Sequence, residues 1–98
     1  MTLQEFKATL SSAAPPTGLT PALLALWHDA RGDWHAAHDV AQNIADRTGA
    51  WVHAYLHRKE GDLPNAAYWY RTARQEVVAE VPHIEEWSTI VETLLQEV

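Results

Sequence analysis

Apolar residues recur three and four positions apart along almost the whole chain, and nowhere do they alternate convincingly in steps of two. That rhythm predicts helices and no strands; the one β-branched cluster, Val77, Val78 and Val81, is short and is broken by Pro82. Thr2-Leu3-Gln4-Glu5 is a capping-box pattern that opens a first helix with Leu3, Phe6 and Leu10 on one face, expected to end near Ser11-Ser12. Residues 13–19 contain Pro15, Pro16 and Gly18 and read as a linker, because proline fixes φ, removes a donor and pushes its predecessor out of the α region. A second helix opens at Thr20-Pro21 and stops at Gly32. Asp33 caps a third, with Trp34, Ala37, Ala41 and Ile44 on its inner face and His35, His38, Asp39 and Gln42 on a solvated one; Thr48-Gly49 is expected to end it. A fourth runs from about Ala50 to Glu60 and is halted by Gly61. Asp62 caps a fifth, whose Leu63, Ala66, Ala67, Tyr70, Ala73 and Val77 face inward, and a sixth over 83–98 carries Ile84, Trp87, Val91, Leu94, Leu95 and Val98 opposite Glu85, Glu86 and Glu92.

The chain also matches itself. Displaced by 29 residues, Ala25 falls on Ala54, His28 on His57, Gly32 on Gly61, Asp33 on Asp62 and Ala37 on Ala66, without a gap. Small residues let antiparallel helices approach closely, and Gly-Asp ends one helix and caps the next, so the pattern describes a helix hairpin written twice.

Gly61-Asp62-Leu63-Pro64-Asn65-Ala66-Ala67-Tyr68-Trp69-Tyr70-Arg71-Thr72-Ala73 resembles the second-helix segment of tetratricopeptide and Sel1-like repeats, and Gly32-Asp33-Trp34 with Ala37 resembles the same turn more faintly. The period is shorter than the roughly 34 residues of those repeats, and their distal proline is missing. Trp27-His28-Asp29, Gly32-Asp33-Trp34 and the run from Gly49 to Asp62 also resemble a family of short, uncharacterised bacterial proteins, over residues 20–75. With the helices that flank the repeat, the expectation is one all-α domain over 1–98, a compact bundle of about six helices. Hairpins at 20–47 and 50–78 form its middle, while the N-terminal helix (1–12) and the C-terminal helix (83–98) act as caps on the open ends.

Ninety-eight residues, 47% of them hydrophobic, suffice for one core. The absence of cysteine excludes disulfides, thiolate metal sites and a cysteine nucleophile. The formal charge of −6 disfavours a polyphosphate partner, so no nucleic acid is expected, although five of the seven basic residues (Arg47, Arg58, Lys59, Arg71 and Arg74) lie in the middle. The start lacks a basic segment followed by an apolar one, and no apolar run is long enough to span a bilayer; the reading is a cytoplasmic protein with no membrane partner.

Two constellations can carry function. Trp51, Tyr55 and Arg58 stand at i, i+4 and i+7 with Lys59 beside them, and in the resembling repeats these positions face a concave groove. An indole, a phenol and a guanidinium there suit an extended peptide or a carboxylate. The alternative is that Trp51 and Tyr55 are core. The second constellation is histidine-rich: His53 and His57 at i, i+4, with Glu60 three further on, share a stripe, and the repeat puts His28 at the position equivalent to His57 on another helix. That set could hold a divalent metal such as zinc, or the histidines could be core groups bonded to Asp, Tyr or backbone. No phosphate loop, Gly-x-Ser-x-Gly elbow or His-Glu-x-x-His motif is present. The first expectation is therefore a non-enzymatic module binding a protein or peptide without a cofactor; the second is a small metal- or ligand-binding protein. A homo-oligomer formed through helix 83–98 is a third.

Overall fold

Five of the six helices begin where a short polar side chain can accept a first-turn amide hydrogen. In the computed structural model, which describes residues 1–97, Thr2 caps α1 (Leu3–Ala8), Thr20 caps α2 (Pro21–Ala30), Asp33 caps α3 (Trp34–Ala41), Asp46 caps α4 (Arg47–Lys59) and Asp62 caps α5 (Leu63–Ala73). Helix α6 (His83–Gln96) follows Pro82 with no side-chain cap. A 3-10 turn over Thr9–Ser11 extends α1. No strand occurs among the described residues, and none of their helices is long and apolar enough to cross a membrane. Val98, expected on the last stripe, lies outside the described residues.

The two Gly-Asp turns fold alike. Gly32 and Gly61 adopt φ of +82° and +93°, a region open to glycine, and the amides of Asp33 and Asp62 reach back to the carbonyls of His28 and His57 at 3.0 and 2.9 Å. Helix α2 packs on α3, α4 packs on α5, and α3 joins the two pairs by lying against α4. Ala25, Ala37, Ala54 and Ala66, the small residues expected between helices, are all buried.

Two boundaries differ from expectation. Helix α3 ends at Ala41, and Thr48-Gly49 does not terminate it; both lie in the first turn of α4, which starts at Arg47 because Asp46 is the better cap. Gly49 is needed there for room, since a Cβ would stand 2.4 Å from the Ile44 carbonyl oxygen. Helix α5 stops at Ala73, where Arg74 turns left-handed, so Val77 is exposed instead of extending the inner face. Leu63, at the other end of that expected face, is exposed too.

Helix α6 lies along α2 and α4 and meets α1. Its Trp87, Ile90, Val91 and Leu94 are buried, with the Trp87 indole N–H donating to the Leu26 carbonyl at 2.9 Å and its ring tilted against Phe6. Of the stripe expected to offer an oligomer interface, Trp87, Val91 and Leu94 are thus engaged inside the chain, Leu95 is half-buried and Ile84 is exposed.

Candidate metal centre

Helix α4 is buried on nearly every side, which forces polar side chains inward. His53 and His57, one turn apart, stack with ring centroids 4.8 Å apart and planes 21° from parallel. Trp69 of α5 continues the stack on the other face of His53, at 4.2 Å and 19°. From α3, His38 meets both α4 histidines edge-on, at 4.7 and 5.2 Å, and is itself covered by Trp34 at 5.0 Å and 14°. Trp34 is anchored by its indole N–H, which donates to the Leu56 carbonyl at 2.8 Å. The result is a five-ring cluster in which His53 and His57 are buried, while His38, Trp34 and Trp69 are half-buried at its rim.

One ring nitrogen from each of His38, His53 and His57 lies within 4.8 Å of the other two. The Nε2 atoms of His38 and His53 are 2.9 Å apart. His57 Nδ1 lies 2.8 Å from Glu60 Oε1; a carboxylate only accepts, so Nδ1 carries the hydrogen and the lone pair of the neutral ring is on Nε2. Burial pushes His53 down to about 4, with repulsion from His38 and His57 adding to it. Burial also lowers His38, helped by His57. Both rings are therefore held neutral around pH 7, the form in which imidazole ligates metal.

His28 is not in this cluster. It sits edge-on to Trp27 at 5.4 Å. The repeat does not bring it to His57, because in a row of helix pairs equivalent positions look toward the preceding pair and do not face each other. The residue that faces His57 is His38, assigned from sequence to a solvated surface along with His35. Spacing could have separated the two, because His38 is four residues from Trp34 and adjoins the Trp34/Ala37/Ala41 stripe, whereas His35 points well away from it.

The residues expected to line a groove are placed otherwise. Tyr55 is 2% exposed, and its hydroxyl donates to Asp29 Oδ2 at 2.7 Å. Arg58, 5% exposed, pairs with Glu86 Oε1 at 2.9 Å and donates to the Val81 carbonyl, while Tyr70 donates to the other Glu86 oxygen. Burial raises the Glu86 carboxyl above its ordinary range although Tyr70 and Arg58 oppose the shift. Trp51 is half-buried between the two apolar clusters, and Lys59, the one exposed member of the set, is bonded to Asp29 Oδ1 at 2.9 Å. Tyr55 and Arg58 thus stitch α4 to α2 and α6.

No protein-family model matches the chain, and no significant match emerges among curated proteins or solved structures.

Proposed function

We propose that the protein binds a divalent transition-metal ion of zinc-like character through His38, His53 and His57. The observation that carries this reading is the convergence of three imidazole nitrogens within 4.8 Å from two helices. Tetrahedral zinc with Zn–N bonds of about 2.0–2.1 Å sets ligand nitrogens about 3.3 Å apart. The 2.9 Å between His38 and His53 would widen slightly and the third nitrogen would close in, shifts within reach of rotation about χ1 and χ2. Glu60 would sit behind the ligands as the acceptor that orients His57, in place of ligating as its sequence spacing suggested. Three protein ligands leave a fourth position at the half-buried His38 rim for water or an incoming group. The protein is read as a metal-binding module, and the peptide groove is not carried forward because two of its four residues are buried ties between helices.

The test is titration of untagged, chelator-treated protein with cobalt(II), whose tetrahedral complexes absorb visibly and intensely, followed by displacement with zinc. One ion per chain with a tetrahedral spectrum, lost in His38→Gln while the fold persists, is the expected result. Histidines that form only a packed aromatic cluster would give an octahedral, weakly coloured cobalt spectrum unchanged by that substitution.

A further inference from the structure

A cavity of about 560 Å³ lies away from the histidines, between the ends of α1, α2, α4 and α6. Its body is apolar: Leu10, Tyr55, Ile84 and Trp87 contribute to the walls, and Ile84 is 62% exposed there. The volume lies within the range of small-molecule sites.

Its charge has the opposite sign to that of the chain. Asp29, the one acidic residue of the lining, has both oxygens occupied, by the Tyr55 hydroxyl and the Lys59 ammonium. Lys7, also in the lining, has no ion-pair partner among the described residues, and His83 of α6 belongs to the same lining. With Asp29 balanced by Lys59, Lys7 leaves the cavity one net positive charge in a chain of formal charge −6. At its border the first turn of α6 has no side-chain cap, whereas the last carbonyls of α2 and α4 are bonded to the turn amides of residues 32, 33, 61 and 62.

From the union of an apolar body and an uncompensated cation in its lining, we infer that this cavity binds a small organic monocarboxylate, with the carboxylate at Lys7 and the hydrocarbon body against Leu10, Ile84 and Trp87. The inference is independent of the histidine cluster, with which the cavity shares no residue.

The full chain is titrated calorimetrically with decanoate, decan-1-ol and decyltrimethylammonium, each below its aggregation concentration. Decanoate should bind one per chain and more tightly than the other two. Lys7→Glu, at an exposed residue with no side-chain hydrogen bond among the described residues, should weaken decanoate by about three- to fivefold without lowering the melting temperature. Ile84→Asp should abolish decanoate binding, and cobalt(II) binding should be unchanged in both variants. Absence of decanoate binding to the unaltered chain, equal binding of the alcohol, or indifference to Lys7→Glu would each overturn the assignment, whatever the outcome at the histidines.

Discussion

The Nε2 atoms of His38 and His53 lie 2.9 Å apart, a separation at which one nitrogen must donate and the other accept. A second proton on the pair would set two donors against each other in a partly desolvated site. The pair is therefore stable only when at least one ring is neutral, and acid should act on the fold here first. In the unfolded chain His53 takes up a proton near 6.5, while in the fold it resists until about 4. Between those values the unfolded state binds more protons, so stability is complete above pH 6.5 and declines as pH falls toward 4, by about 3 kcal/mol at most. Urea melts of metal-free protein at pH 7 and pH 5 should show this loss, and His53→Gln should flatten it. An equal pH slope in that variant would place the acid sensitivity elsewhere.

Glu60 tests the outer layer of the histidine site. Its carboxylate fixes the tautomer of His57 from an exposed position, so its removal should not disturb the core. Glu60→Ala is expected to weaken cobalt(II) binding by about 10- to 100-fold. Glu60→Gln keeps an acceptor for Nδ1–H and should recover most of the affinity. Competition titration against a chelator of known affinity reads both, and equal losses in the two variants would show that charge matters and orientation does not.

Gly49→Ala sets two effects of opposite sign against each other. Alanine is favoured over glycine inside a helix by about 1 kcal/mol. Its Cβ, however, would meet the Ile44 carbonyl oxygen at 2.4 Å and the Ile44 side chain at 2.5 Å, and a backbone atom cannot rotate away. Overpacking of this kind costs about 1–3 kcal/mol, so net destabilisation is expected in chemical denaturation.

Arg58 and Glu86 form a buried pair whose members differ in what they leave behind. Arg58→Met strands a carboxylate in the interior and is expected to cost about 3–5 kcal/mol. Removing both charges, as Arg58→Met with Glu86→Leu, should recover much of that. A double-mutant cycle on denaturation midpoints measures the coupling, and additivity of the two changes would show that the pair contributes nothing as a pair.

The all-helical architecture was legible because caps, breakers and period are local: Thr2, Thr20, Asp33 and Asp62 act where the sequence places them. The Asp46 cap is hard to read because Gly49 resembles a stop, and glycine has two uses that sequence does not distinguish, a left-handed φ or a missing Cβ. At the histidines, the one-helix relation between His53 and His57 could be read from spacing, whereas the arrival of His38 depends on how α3 rests against α4. The burial of Arg58, and of Tyr55 as the core alternative has it, is hard to read for a related reason. A long polar residue on a helix looks exposed until its counter-charge is known, and Glu86 and Asp29 lie 28 and 26 residues away.

Because Glu86 and Trp87 arrive so late in the chain, α6 also sets a schedule for synthesis. A nascent polypeptide that has emerged only to Pro82 carries the Arg58 guanidinium and the Tyr70 hydroxyl without the carboxylate that joins them, and leaves Phe6 and the Leu26 carbonyl without the indole that covers them. Settled tertiary order must wait until α6 clears the ribosome. Up to that moment the growing chain offers its unfinished apolar side to whatever chaperone stands at the exit tunnel.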